Sequence, residues 1–166
     1  MTNHRWSIKI LKNTRGYYFA QNIMTKRSAK ILWIEDNIAD VILIKEALKK
    51  IGLIHHLYVV NDGIEALDFL FRRGRFESVS VPDLIILDLN LPKKSGREVL
   101  QEIKADPVLF KIPLVILTTS NHDRDALEGF DPARSLYLVK PLTFAALIEL
   151  GKQIRDFLLS LYPEPE

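Results

Sequence analysis

The sequence predicts an α/β protein in which a five-stranded, mostly parallel sheet carries helices on both faces. Two observations predict this doubly wound fold. Five short runs of apolar residues alternate along the chain with segments whose apolar residues recur at helical spacing. The runs are apolar on both faces, which is typical of strands that are covered by helices on either side of a parallel sheet.

The predicted strands and helices follow one another in alternation. The strands cover residues 31–34, 57–60, 84–87, 114–117 and 136–139. The helices cover residues 39–51, 64–71, 96–105, 144–161 and, as a shorter and weaker pattern, 122–129. Gly52 ends the first helix, and Ser95 and Thr143 are good N-caps for the third and the last. The connection formed by residues 74–82 is longer than the usual length of about two to six residues.

Composition excludes several classes of protein. The chain of 166 residues is 48% hydrophobic and has no cysteine, so it can bury a normal core but cannot form disulfides or thiolate metal sites. No apolar run reaches the roughly 18 residues that a membrane span needs. No glycine-rich nucleotide-binding loop is present either. We therefore expect a cytoplasmic protein that acts without a membrane.

The first 28 residues are predicted to be a basic extension, followed by a domain at residues 29–162 and a tail at residues 163–166. Residues 1–30 hold seven Lys or Arg and no acidic residue, and subtracting these seven from the net charge of +2 leaves −5 for the rest. The extension could be an arm for nucleic acid or membranes, a short ordered or frayed segment, or a stretch that precedes a true start at Met24. Its turn-like residues 13–16 also permit a small hairpin. We expect no nucleic-acid partner.

Side chains that can carry chemistry follow the first, third, fourth and fifth strands. In chain order they are Glu35 and Asp36, then Asp88 and Asn90, then Thr118, and finally Lys140. In an open parallel sheet, ligands bind beyond the carboxyl ends of the strands, so these side chains should meet at one edge. Converging carboxylates repel each other without a counter-ion, and Mg²⁺ prefers such oxygen ligands.

This set of residues resembles the receiver domain of two-component response regulators. The resemblance rests on Glu35-Asp36, Asp88, Thr118 and Lys140-Pro141, each at the tip of a strand. The steps of 30 residues from Asp88 to Thr118 and of 22 residues from Thr118 to Lys140 match the family. It covers about residues 29–160 and implies the strand order 2-1-3-4-5. The segment after the third strand looks most like the small single-domain regulators encoded beside cyanobacterial phytochromes.

The resemblance implies a phosphoacceptor and a metal site. Asp88 would attack a phosphorus atom and become an acyl phosphate. Asp36 would bind Mg²⁺ or Mn²⁺ directly and Glu35 through water, with Asp88 and the backbone carbonyl of Asn90 as further ligands. Many members of the family have Asp at the position of Glu35. Taken singly, a strand-end Asp is more often a turn former, and Glu35-Asp36 could merely cap a helix.

The resemblance also implies a switch. Lys140 would pair with the phosphoryl oxygens as a point charge. Thr118 would turn its hydroxyl toward the phosphoryl group, and Tyr137 would move with it. A cis peptide between Lys140 and Pro141 would point the ammonium at the site. The surface that changes would be the one made by the fourth helix, the fifth strand and the last helix.

A phosphorylatable signalling protein, rather than an enzyme, is therefore expected. A sensor histidine kinase, in the narrower resemblance a bacterial phytochrome, would donate the phosphoryl group, and a downstream protein would receive the signal. The alternative is a pseudo-receiver that docks partners without phosphorylation. A haloacid-dehalogenase type of hydrolase would need an Asp where this chain has Asn90. No DNA-binding domain is expected, because the chain ends shortly after the last helix.

The last helix is more apolar than a single core-facing stripe requires. Surplus apolar area that buries against a second copy predicts a homodimer, whereas the alternative is that all of these side chains pack on the sheet. The residues concerned are Phe144, Leu147, Ile148, Ile154, Phe157, Leu158 and Leu161.

Overall fold

The computed structural model describes residues 7–12, 18–23, 29–53 and 55–161, and within them the chain forms seven strands and four α-helices. The strands are β1 (Ser7–Lys12), β2 (Tyr18–Ile23), β3 (Ala29–Ile34), β4 (His55–Val60), β5 (Leu84–Leu87), β6 (Leu114–Thr118) and β7 (Ser135–Val139). The helices are α1 (Ile38–Lys50), α2 (Gly63–Leu70), α3 (Gly96–Ala105) and α4 (Phe144–Ser160). Short 3₁₀ turns lie at Gly74–Phe76, Leu109–Lys111 and Arg124–Leu127.

Strands β3 to β7 form a five-stranded sheet in the order β4-β3-β5-β6-β7. All four pairings are parallel. Counted from β3 as the first strand, the order is 2-1-3-4-5, so the predicted fold class is confirmed. The order reverses between β3 and β5, which places a crevice beyond the carboxyl ends of these two strands.

Two hydrophobic clusters lie on the two faces of this sheet, and this explains why the strands are apolar throughout. Because successive side chains of a strand point to opposite faces, Leu32 and Ile34 join one cluster and Ile31 and Trp33 the other. The first cluster includes residues of α2 and α3, and the second includes residues of α1 and α4. Helices therefore cover both faces, as predicted.

Strands β1 and β2 form a separate antiparallel pair, in which Ser7 lies opposite Ile23 and Lys12 opposite Tyr18. This is the small hairpin that the sequence permits in the basic extension. The predicted turn at residues 13–16, the possible start at Met24 and the tail at residues 163–166 lie outside the described residues.

The fourth predicted helix is wrong. Residues 122–129 contain only the 3₁₀ turn Arg124–Leu127, so the described chain has four α-helices instead of five. The acidic side chains of Asp123 and Asp125 bind Arg97 of α3 and do not cap a helix. Gly129 then ends the segment at a φ of 81°, a conformation that glycine adopts without strain.

Most of the apolar surface of the last helix is used inside the fold. Leu147, Ile154 and Leu158 are buried, and Ile148, Phe157 and Leu161 are half-buried against the same cluster. Phe144 remains 38% exposed. The apolar surplus is thus smaller than its sequence pattern indicates. No helix in the described part of the chain has the length and apolar character to cross a membrane.

Candidate functional site

The side chains that follow β3, β5 and β7 meet at the carboxyl edge of the sheet, around the ammonium of Lys140. Lys140 Nζ donates hydrogen bonds to Glu35 Oε2 at 2.5 Å and to Asp88 Oδ2 at 2.6 Å. It also donates one to Asp40 Oδ2 at 2.9 Å. The prediction that Glu35, Asp88 and Lys140 come together is therefore confirmed by the geometry.

Backbone hydrogen bonds hold the two buried carboxylates in place. Asn37 N donates to Glu35 Oε1 at 3.0 Å, and Asn90 N donates to Asp88 Oδ1 at 3.0 Å. Each carboxylate thus accepts one backbone N–H with one oxygen and the Lys140 ammonium with the other. The strand ends are tied as well, because Asp88 N donates to Ile34 O at 3.0 Å. Both carboxylates therefore have fixed positions relative to the sheet.

Burial makes the charge balance of this cluster important. The side chains of Glu35, Asp88 and Lys140 are only 1%, 6% and 10% exposed. Burial raises the pKa of Glu35, and the hydrogen bond from Lys140 acts in the opposite direction. For Lys140, burial alone would lower the pKa, but the hydrogen bonds to Asp88, Glu35 and Asp40 outweigh it and raise the pKa. Lys140 is therefore a charged ammonium at neutral pH, and it neutralises part of the carboxylate charge.

The donor set fits a hard divalent cation. Glu35 and Asp88 direct one oxygen each at the point that the Lys140 ammonium holds, and Asp36 lies exposed directly after Glu35. Mg²⁺ takes oxygen ligands of this type and usually binds one or two carboxylates, with water as a further ligand. Within the described residues, no three acidic or histidine side chains form a ready-made metal cluster. A cation that used the same two oxygens would displace the Lys140 ammonium from them.

Thr118 and Tyr137 are both linked to Ser120. Thr118 is buried at the end of β6, and its hydroxyl oxygen lies 3.4 Å from Asn90 Nδ2 and 3.5 Å from Ser120 N. The Tyr137 hydroxyl donates to Ser120 O at 2.6 Å, and the ring lies 4.9 Å from the guanidinium of Arg124. The structure thus connects the two residues through one segment of backbone, while their joint movement stays a prediction.

Two contacts near the site were not predicted from the sequence. Asp40 lies within the first predicted helix, and an acidic residue in the first turn of a helix that begins at the carboxyl edge could have indicated a contact there. Arg97, in the first turn of α3, binds Asp123 at 2.7 Å and Asp125 with both guanidinium nitrogens, at 2.9 and 3.1 Å. No sequence pattern indicated this clamp, because its partners are 26 and 28 residues away.

The peptide between Lys140 and Pro141 is trans, since none of the described peptide bonds is cis. The expected cis peptide is therefore wrong. With the trans peptide the ammonium already reaches all three carboxylates, so a cis bond is not required to point it at the site.

Comparisons with known proteins agree with this geometry. The chain matches the model of the response regulator receiver domain over residues 31–152. Response regulator Rcp1 of Synechocystis sp. is 42% identical over 135 residues, which are 81% of this chain and 92% of that protein. The structure of the phosphorylated cyanobacterial phytochrome response regulator RcpA is 44% identical, with a TM-score of 0.73 over 84% of this chain and 100% of that one. The Mn²⁺-bound form of Rcp1 is 40% identical, with a TM-score of 0.71 over 83% and 99% of the two chains.

Proposed function

Because the chain belongs to the response regulator receiver domain family, we propose that it accepts a phosphoryl group on Asp88 and thereby switches its binding to a downstream protein. The observation that carries this proposal is the environment of Asp88. Its carboxylate is nearly buried at the strand edge, with one oxygen on a backbone N–H and the other on the Lys140 ammonium. Both contacts fix the nucleophile at the mouth of the crevice, where a phosphoryl donor can approach.

The reaction transfers a phosphoryl group from an imidazole nitrogen of the donor to a carboxylate oxygen of Asp88. A carboxylate oxygen of Asp88 forms a bond to phosphorus, the bond from phosphorus to the imidazole of a phosphohistidine breaks, and the imidazole leaves with the electron pair. Lys140 pairs with the phosphoryl oxygens and offsets the charge that the group adds. The Thr118 hydroxyl donates to one of these oxygens. The protein contributes mainly position and charge, since this transfer asks for little covalent chemistry from it.

A divalent cation is part of this proposal. The family binds such a metal in its active site, and Rcp1 has been solved with Mn²⁺. Glu35, Asp36, Asp88 and the backbone carbonyl of Asn90 would hold Mg²⁺ or Mn²⁺ here. The cation would supply charge neutralisation for a dianionic phosphoryl donor.

A sensor histidine kinase is the proposed donor, and a bacterial phytochrome is the proposed kinase class. Support for the second point comes from the relatives, since RcpA is described as a cyanobacterial phytochrome response regulator and is 44% identical. A homodimer through β7 and α4 is proposed as the state that changes on phosphorylation. The half-exposed apolar residues of α4 support it, whereas most of the other apolar residues of this helix pack inside the fold.

The proposal is tested by phosphorylation with acetyl phosphate and intact-mass measurement. Wild type should gain the mass of one phosphoryl group with Mg²⁺ and stay unmodified with EDTA, and Asp88→Asn should stay unmodified in both. Asp83→Asn is the matched control, because Asp83 lies at the opposite end of β5 and binds Lys30 N instead. Equal modification of Asp88→Asn and wild type would contradict the proposal. A wild type that accepts no phosphoryl group would favour a pseudo-receiver.

A further inference from the structure

The Lys140 ammonium is shared by carboxylates from three different elements. Asp40 lies in the first turn of α1, whereas Glu35 follows β3 and Asp88 follows β5. An ammonium has three N–H donors, so the three contacts use all of them. The contact with Asp40 is the longest, at 2.9 Å, and the Asp40 side chain is 30% exposed, more than the other two carboxylates.

Asp40 has a simpler interpretation as a residue that stabilises the start of α1. An acidic side chain in the first turn of a helix interacts favourably with the helix dipole. The N-cap is already supplied by Asn37, whose side chain accepts from Ala39 N at 3.0 Å. The dipole does not require the Asp40 carboxylate to bind a residue 100 positions away, inside the crevice. The contact with Lys140 therefore needs a reason of its own.

The three contacts of Lys140 differ in what becomes of them during the proposed reaction. Glu35 and Asp88 are engaged by the cation and the phosphoryl group, so the ammonium loses these two acceptors or shares them. Asp40 takes part in neither interaction and stays available. Because lysine carries its charge on a flexible four-carbon chain, one retained acceptor keeps the ammonium close to Asp88. Its other N–H groups are then free for the phosphoryl oxygens.

We propose that Asp40 is a positioning residue, which holds Lys140 beside Asp88 while Glu35 and Asp88 bind the cation and the phosphoryl group. The inference rests on the proposed function of Asp88 and deepens it. Asp40 acts through Lys140 and does not touch the reacting atoms. It adds to the site a carboxylate from the first turn of α1, one that does not directly follow a strand.

The first measurement is the affinity for beryllofluoride in the presence of Mg²⁺, determined by isothermal titration of the full chain. Asp40→Asn keeps the shape of the side chain and should weaken binding about tenfold, as expected for a lost charge-assisted hydrogen bond. Asp40→Glu restores the carboxylate and should recover most of the affinity. Glu46→Gln is the matched control, since it removes the same charge from an exposed position of the same helix and should change nothing.

The second measurement is the ¹⁵N NMR signal of the Lys140 ammonium with beryllofluoride bound. In wild type the ammonium should be ordered and its protons should exchange slowly with solvent. In Asp40→Asn these protons should exchange rapidly. If Asp40 only stabilised α1, Asp40→Asn would lower the melting temperature and leave this signal unchanged.

The outcomes separate this inference from the proposed function. Equal affinities and equal ammonium signals in wild type and Asp40→Asn would overturn the positioning role, and so would tighter binding by the variant. If wild type itself binds no beryllofluoride with Mg²⁺, the proposed function fails and the role of Asp40 fails with it.

Discussion

Replacement of Gly96 by alanine should disturb Asp88, although Gly96 does not belong to the charged cluster. Gly96 is the first residue of α3, and a β-carbon built on it would lie 2.4 Å from Asp88 O and 2.6 Å from Leu89 Cα. Ordinary contacts between nonbonded atoms need about 3.5 Å, so the two segments must separate by about 1 Å. Backbone atoms cannot turn aside as a flexible side chain can. The displacement therefore falls on the segment that carries the proposed phosphoacceptor.

Two effects of Gly96→Ala can be estimated. Overpacking costs about 1–3 kcal/mol, while alanine in place of glycine favours a helix by up to about 1 kcal/mol, so the free energy of unfolding should fall by about 0–3 kcal/mol. A misplacement of about 1 Å can lower a rate by about 100-fold. We therefore expect the rate of phosphorylation by acetyl phosphate to fall about 100-fold in a variant that still folds.

The assay compares initial rates of phosphorylation with unfolding in urea. Gly151→Ala, inside α4, is the matched control. Its β-carbon would lie in ordinary contact with side chains at the end of α1, 3.4 Å from Ile51 Cδ1 and 3.7 Å from Leu48 Cδ2. This variant should keep the wild-type rate and gain up to about 1 kcal/mol of stability. If Gly96→Ala phosphorylates and unfolds as wild type does, the steric argument is refuted.

Two further predictions concern the clamp and the dimer. Hydrogen bonds from Ser120 and Arg97 lower the pKa of Asp123, and hydrogen bonds from Arg97 lower the pKa of Asp125. The two ionised carboxylates therefore stabilise the fold at pH values above their ordinary pKa of 3.8, and this contribution is lost as the pH falls below that value. The unfolding free energy of wild type should therefore exceed that of Arg97→Ala at pH 7, and a difference that does not shrink toward pH 3 would contradict this reasoning. The dimer can be tested by light scattering with beryllofluoride, which should give twice the monomer mass for wild type and the monomer mass for Leu159→Asp. Leu159 is half-exposed and lies outside both core clusters. A wild type that is monomeric at every concentration would exclude the dimer.

The sheet and the charged edge could be predicted because both follow from local patterns. Residues 84–87 are apolar on both faces and are followed by Asp88, and this local information is enough to place a carboxylate at the edge of a buried strand. The helix expected at residues 122–129 is absent from the structure because the conformation of this segment depends on tertiary contacts. Its acidic side chains bind Arg97, and the turn has few apolar residues to hold a helix against the sheet.

The contacts of Lys140 could be predicted only in part, for a related reason. Its meeting with Asp88 follows from the position of both residues at strand ends. Its contact with Asp40 depends on where the first turn of α1 lies relative to β7, and the sequence pattern does not contain that distance. The trans peptide before Pro141 belongs to the same group, because the resemblance supplied the cis expectation and the local residues did not test it.

The ammonium of Lys140 links the stability of the edge to its proposed reaction. Glu35 and Asp88 are nearly buried, and removing one partner from a buried ion pair costs about 3–5 kcal/mol, so any cation that takes these oxygens must also replace the charge that stabilises them. A cation and the ammonium would then share or compete for the same two carboxylate oxygens.

This competition also indicates which part of the chain can carry a signal. Lys140 N donates to Thr118 O at 2.8 Å, so the backbone of Lys140 stays tied to β6 while its side chain moves. A rearrangement of the ammonium therefore need not shift β7 itself. The proposed switch would instead act on the segment after Thr118, where Tyr137 binds Ser120 and Arg97 binds Asp123. These side-chain contacts, rather than the strand pairing, are then the bonds that phosphorylation would have to break or remake.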